Sequence, residues 1–231
     1  MTAIILAGGK SSRIKTNMVW WKKMVSPFPL VTDHILKNKI FLTFGNETML
    51  ERRICLLSKL FKNIIVVVNS QTRKKEISPI VDKIKNDNLH LRIVCDYIKD
   101  KGSIGGLYSG LIYSKTFYNF ITACDMPFLN VELLRYMKRF TKNKKYDAIV
   151  PFLKERHEPL FAFYSKKCIK PIEEQLKKGN LRITDFLSKI FKKEIPINKV
   201  KKNDPQMFSF FNINTIKDYE TANLFLRTGK L

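Results

Sequence analysis

Near its start the chain carries a short apolar run, Thr2 to Ala7, that stops at two glycines, Gly8-Gly9. A continuous apolar stretch of this length reads as a strand covered on both faces, not as an amphipathic helix. The same element returns at Asn63 to Asn69 (Asn-Ile-Ile-Val-Val-Val-Asn), which is rich in β-branched residues. Leu91 to Cys95, Asn119 to Ala123, Asp147 to Val150 and Pro159 to Tyr164 repeat it, and Phe208 to Ile213 is expected as a late strand. Helical spacing falls between them. Thr48 to Leu60 has apolar residues at Met49, Leu50, Ile54, Leu57 and Leu60; Ile77 to Lys85, Gly105 to Ser114 and Val131 to Phe140 also read as helices. Cys168 to Lys177, Ile183 to Phe191 and Ile216 to Phe225 are the later ones. Buried strands alternating with helices predict an α/β three-layer sandwich with a mostly parallel, Rossmann-like sheet. Ligands of such sheets sit beyond the carboxyl ends of the strands.

With 231 residues, 45% of them hydrophobic, the chain suits one folded domain spanning 1–231. The stretch Asn17 to Lys37, with Trp20, Trp21, Pro27 and Pro29 and no clean period, reads as an inserted loop or lid. No apolar run reaches membrane-spanning length and no basic leader precedes the first strand, so a membrane partner is not expected. Cys55, Cys95, Cys124 and Cys168 form no C-x-x-C pair; reduced thiols in a cytoplasmic protein are the simplest reading. The formal charge of +23 admits nucleic acid or an anionic small substrate. The lysines are spread along the chain, as at Lys144-Lys145, Lys177-Lys178 and Lys201-Lys202, and no aromatic-basic patch stands out. We read them as solvated helix faces and expect no nucleic-acid partner.

Two stretches carry chemistry. In Leu6-Ala7-Gly8-Gly9-Lys10-Ser11-Ser12-Arg13, a strand runs into glycines that allow close backbone approach to a phosphate. The N–H groups that follow can accept an anion, and Arg13 offers a bidentate donor. The bland alternative is a tight turn with no ligand. Asp125 lies at the end of a buried strand. A carboxylate there can hold Mg²⁺; the alternative is an N-cap for the following helix. Asn212 and Asn214 alternate on the expected late strand and would share a face, unless they cap a turn. The three histidines are scattered, and His157 reads as a surface-loop residue.

Taken in order, these blocks resemble the nucleotidyltransferases whose signature is L-A-G-G-x-S-x-R-M-G, in particular the molybdenum cofactor guanylyltransferases, the MobA family. Lys39-Ile-Phe-Leu-Thr-Phe-Gly45, Val68-Asn69-Ser70, Asp96, Lys101 to Leu107, Ala123-Cys124-Asp125-Met126-Pro127-Phe128, Glu158-Pro159-Leu160 and Phe211-Asn212-Ile213-Asn214-Thr215 continue the likeness across the chain. The resemblance implies that Leu6, Ala7, Gly8, Gly9, Lys39, Asn69, Asp96 and Asp125 bind the nucleotide. It implies that Arg13, Lys39 and Asp125 act in catalysis, that Asp125 holds Mg²⁺, and that Asn212 and Asn214 meet the acceptor. The double glycine is similar to the guanine-using members, whereas cytidine-using relatives tend to carry L-A-A-G. The implied reaction transfers GMP from GTP to molybdopterin, in a monomer that contacts other molybdenum cofactor proteins in passing.

The chain departs from the pattern at Ile14-Lys15, where the family has M-G, and at Met18, where it has lysine. Treating 17–37 as an insertion recovers that lysine at Lys39; Lys15, Lys22 and Lys23 are the alternatives. A related enzyme using CTP or a sugar or polyol phosphate, and a catalytically degenerate paralogue, are the competing readings.

Overall fold

The computed structural model describes residues 1–8 and 39–228. Gly9, Arg13 and the 17–37 segment, with Lys15, Lys22 and Lys23, lie outside the described residues. The first half runs β1 (Thr2–Leu6), the small hairpin β2 (Thr43–Phe44) and β3 (Glu47–Thr48), α1 (Met49–Ser58), β4 (Asn63–Val68), α2 (Gln71–Ile84), β5 (His90–Cys95), α3 (Gly102–Tyr113) and β6 (Tyr118–Ala123). The second half runs α4 (Val131–Lys138), β7 (Ala148–Leu153), β8 (Arg156–His157), β9 (Phe161–Ser165), α5 (Ile169–Lys177), α6 (Ile183–Leu187), β10 (Lys192–Pro196), α7 (Ile197–Asn203) and α8 (Ile216–Thr228).

The main sheet has the order β10-β7-β9-β6-β1-β4-β5, with β8 paired to β7. β1 is central, parallel to β4 and β6, with Ile4 opposite Ile65 on one side and Ile121 on the other. The β4–β5 and β10–β7 pairings are also parallel, while β9 runs antiparallel to both β6 and β7. The apolar runs are buried on both faces because helices cover both. Ile5, Val66, Phe120 and Phe163 point into one core and Ile4, Ile65, Ile121 and Tyr164 into the other. Truncating a fully buried residue such as Ile4 to alanine would cost about 2–5 kcal/mol. All four cysteines are free thiols. No helix among the described residues is long and apolar enough to cross a membrane.

Three expectations from the sequence are corrected. α2 begins at Gln71, six residues before Ile77, because Ser70 caps it by accepting the Arg73 N–H at 3.1 Å; its polar first turn hid the start from an apolar count. The helix expected over Ile183 to Phe191 ends at Leu187, and Lys192–Pro196 is an edge strand with only Ile195 buried. A charged edge strand leaves no apolar run to read.

The third correction concerns Phe208 to Ile213, which is not a strand. Phe208–Phe210 forms a 3-10 turn entered through Met207 at φ 55°. Phe208 and Phe211 pack on Phe128, and Phe210 packs on Phe161. The Phe210 and Phe211 N–H groups bond within the turn, to the Met207 and Phe208 carbonyls. The apolar residues seen in the sequence are satisfied by rings, not by a neighbouring strand.

Candidate active site

β1, β4 and β6 run out together. Beyond their ends the Ala7 N–H donates to the Val67 carbonyl at 2.8 Å and the Cys124 N–H to the Leu6 carbonyl at 3.1 Å. Above these ends opens a cavity of about 490 Å³, lined among others by Leu6, Ala7, Gly8, Lys39, Asn69, Asp96 and Asp125. It lies outside the carboxyl ends of the parallel strands, where the fold class places ligands. Gly8 is needed for close approach, since a Cβ there would lie 3.0 Å from the Asn69 nitrogen and 3.2 Å from its Cβ.

Lys39 reaches the cavity from a 3-10 turn, Lys39–Phe41, pinned by the buried Ile40 and by Leu42 just after it. The chain then reverses through the β2–β3 hairpin, where Gly45 adopts φ 61°. It enters α1 through a capping box formed by Thr48 and Glu51. The Lys39 Nζ lies 3.5 Å from Asp125 Oδ2 and donates to Asn214 Oδ1 at 3.0 Å. Residues 86 and 175 positions apart thus meet at one point.

Asp125 sits just past β6, and its carbonyl accepts the Ile213 N–H at 3.0 Å. It does not cap α4. That cap is Asn130, which accepts the Glu132 and Leu133 N–H groups at 2.9 and 3.0 Å. Among the described residues no three His, Cys, Asp or Glu side chains cluster as a metal site. The donors that converge here are a carboxylate oxygen and an amide oxygen, already shared by an ammonium. One or two such oxygens completed by substrate phosphates is a donor set that fits Mg²⁺.

The opposite wall has different chemistry. Asp96 follows β5, and its N–H donates to the Val68 carbonyl at 2.8 Å. Burial pushes its carboxyl up to about 6; a Ser109 hydrogen bond acts the other way and repulsion from Asp100 adds to the rise. α3 packs beside it, and its first residues, Gly102, Ser103 and Gly106, line the cavity. Among the described residues no side chain caps α3, and the positive end of that helix borders the cavity.

The structure therefore gathers Leu6, Ala7, Gly8, Lys39, Asn69, Asp96, Asp125 and Asn214 around one opening. It does not bring Asn212 there. The Asn212 Nδ2 turns back to the Phe210 carbonyl at 3.1 Å, and with no strand present the two asparagines do not share a strand face. His157 is not in a loop either. It sits in β8 with Nε2 2.7 Å from Glu194 Oε1 and its ring against Phe152. Leu160 and Leu181 also line the cavity. Leu181 remains 45% exposed in the α5–α6 connection, a place where the sequence offers no periodic signal.

Residues 3–193 match the MobA-like NTP transferase domain. The chain belongs to the MobA-like NTP transferase family. It is accordingly a nucleotidyltransferase. One relative, from Natranaerobius thermophilus and named "probable molybdenum cofactor guanylyltransferase", is 32% identical over 98% of this chain and 96% of its own length. A "molybdenum cofactor guanylyltransferase" from Desulfosudis oleivorans is 27% identical over 100% of this chain and 98% of that protein. Among solved structures, molybdopterin-guanine dinucleotide biosynthesis protein A from Archaeoglobus fulgidus shares the fold. Its TM-score is 0.77 at 22% identity, covering 98% of this chain and 99% of that one. The family match takes in the ends of β1, β4, β5 and β6 and stops short of Asn212 and Asn214.

Proposed function

We propose that this chain is a molybdenum cofactor guanylyltransferase, which transfers GMP from GTP to molybdopterin and releases pyrophosphate. What carries the reading to specific atoms is the meeting of Lys39, Asp125 and Asn214 at the open end of β6. An oxygen of the acceptor's phosphate attacks the α-phosphorus of GTP, and the α–β phosphoanhydride bond breaks. The attacking phosphate is already an anion, so no general base is needed, and no histidine lines the described cavity. Catalysis then rests on positioning and on offsetting charge.

Asp125 would hold Mg²⁺, whose contribution is to neutralise phosphate charge. Lys39 offsets charge on the triphosphate, and Arg13 is assigned the same task from the signature it occupies. Leu6, Ala7, Gly8 and Gly9 wrap the phosphates with their backbone, while Asn69 and Asp96 face the nucleoside. Asn214 meets the acceptor; Asn212, turned back on the Phe210 carbonyl, would join it only through a change in the path of the segment. We take residues 1–231 as one nucleotidyltransferase domain in which 17–37 is an insertion. The protein is read as a cytoplasmic monomer that hands its product to other molybdenum cofactor proteins.

Incubation with each of the four α-labelled nucleoside triphosphates, Mg²⁺ and molybdopterin tests this. GMP incorporation alone is expected. CMP incorporation would move the chain to the cytidine-using relatives. Binding of GTP without incorporation would mark a degenerate paralogue.

A further inference from the structure

Behind the site, in α1, lies a guanidinium shut away from solvent, with no carboxylate within ion-pair distance among the described residues. Arg53 is fully buried, and among the described residues it makes no ion pair. Its Nη1 donates to the Phe128 carbonyl at 2.7 Å, and its Nη2 donates to Thr122 Oγ1 and lies 4.0 Å from Met126 Sδ. Among the described residues its Nε has no hydrogen-bond partner. The preceding residue, Arg52, donates from Nε to the Pro127 carbonyl at 3.0 Å. These contacts fall on both sides of Asp125, at 122 before it and at 126 to 128 after it.

A buried charge with no counter-ion in direct contact is costly to a core. A methionine would fill similar space with no such cost. Burial brings the Arg53 guanidinium down to about 10, so it remains charged at neutral pH. The acidic groups acting on it are Cys124 and Asp125. Asp125 is the carboxylate of the two, and it acts without touching the guanidinium.

We infer that Arg53 is a positioning residue for Asp125: its fork ties the strand end at Thr122 to the loop at Phe128 and thereby sets where the intervening carboxylate faces the cavity. Arg53 reaches neither cavity nor substrate and acts through the loop. The inference rests on the reading of Asp125 as the residue that faces metal and phosphates. Lysine cannot replace the fork, because an ammonium supplies a point charge without the paired, planar donors.

The test compares Arg53→Met, Arg53→Lys and Leu57→Ala. The last empties a fully buried apolar position one turn along the same helix, where no charge is removed. For each, Tm, kcat and KM for GTP per folded molecule, and Mn²⁺ binding to the GTP-loaded protein by electron paramagnetic resonance are measured. Arg53→Met is expected to lower kcat about 10- to 100-fold, since small misplacements of a reacting geometry cost that much. Its KM for GTP should move little, and its Mn²⁺ binding should weaken. Arg53→Lys should fall between it and wild type in both kcat and Mn²⁺ binding. Leu57→Ala should lower Tm and leave both unchanged.

Wild-type kcat and Mn²⁺ binding in Arg53→Met, with only Tm lowered, would overturn the positioning role. If Arg53→Met does not fold, Arg53→Lys decides, and full kcat with full Mn²⁺ binding there would overturn it equally. A wild-type chain that neither binds Mn²⁺ with GTP nor transfers GMP would instead overturn the reading of the site, and the positioning role with it.

Discussion

Two carboxylates face one cavity from opposite walls, past the ends of β6 and β5, and their surroundings differ as much as their positions. Asp125, after β6, is 30% exposed, lies 3.5 Å from the Lys39 ammonium, and has the Asn214 amide at that same ammonium. Asp96, after β5, is set against α3, and burial pushes it up to about 6. The first end is furnished to gather charge, since a cation is already held there by oxygens. The second end resists charge and favours a partner that donates hydrogen bonds. A nucleoside triphosphate has both requirements, with phosphates at one end and a base rich in N–H donors at the other. On the proposed function the contrast would orient the substrate, phosphates toward Asp125 and base toward Asp96, and substitutions at each end should fail in different ways.

The largest effect is expected at the charged end. Asp125→Ala should lower GMP transfer by about two to three orders of magnitude, the scale seen when an electrostatic stabiliser of a transition state is removed. The carboxylate is not buried in the core, so circular dichroism and Tm should stay close to wild type. Near-normal turnover from the folded variant would break the contrast, because the two carboxylates would then be interchangeable.

Next comes Lys39→Ala, expected to raise KM for GTP and lower kcat, together about 10- to 100-fold, as suits the loss of one charge-assisted hydrogen bond. Lys15→Ala, Lys22→Ala and Lys23→Ala should do much less. This set also tests how the insertion was placed. If Lys15→Ala were the damaging change and Lys39→Ala silent, the 17–37 segment would have to be realigned without a gap.

The charged end was the more legible one, for a physical reason. Its backbone is built from strand ends, and a run such as Thr2–Leu6 followed by glycine announces both a buried strand and a turn. Asp125 could be placed there from the apolar run before it alone. Lys39 could not. Its position depends on a hairpin of two-residue strands, too short to leave a period. The likeness to known signatures recovered what patterning did not. The late segment misled for the converse reason. Phe208, Phe210 and Phe211 have the composition of a strand, but aromatic residues pack as readily from a turn as from a sheet, and only the tertiary partners Phe128 and Phe161 decide. Arg53 left no signal, since a basic residue inside an apolar helix face reads as a solvated interruption.

At the Asp96 end a smaller effect is expected, about 10-fold in GTP affinity for Asp96→Asn, measured by calorimetry, because one charged acceptor for base N–H groups becomes a neutral one. The gap between GTP and the other nucleotides should narrow. In the free protein the same variant has a stability signature. With its carboxyl raised to about 6 from the usual 3.8, folded Asp96 keeps a proton that the unfolded chain has released across that window. Its contribution to stability is therefore fully present below about 4 and is lost as pH rises through 6. Asparagine cannot ionise. The Tm of Asp96→Asn should match wild type at low pH and exceed it increasingly up to pH 7.5. A Tm difference that does not change with pH would show that the second end tolerates charge as well as the first.

The smallest effect is expected for Asn214→Ala, and it is the sharpest test of how the charged end is assembled. Asn214 is held by α8, where its N–H and that of Thr215 donate to Asp218 Oδ2 at 2.9 and 2.8 Å. Its side chain reaches Lys39, whereas Asn212 turns back on its own backbone. Removing one neutral partner of a lysine costs about 0.5–1.5 kcal/mol, or about 2- to 10-fold in rate or affinity. If Asn214 serves only to aim Lys39, then Asn214→Ala adds nothing to Lys39→Ala, and the double variant equals the lysine variant alone. If Asn214 also touches the acceptor, the losses multiply, and the extra loss appears in KM for molybdopterin and not for GTP. Asn212→Ala should then be near neutral in both parameters. A loss at Asn212 larger than at Asn214 would mean that the Phe208 to Asn214 segment changes its path when the acceptor binds, turning Asn212 away from the Phe210 carbonyl and into the site.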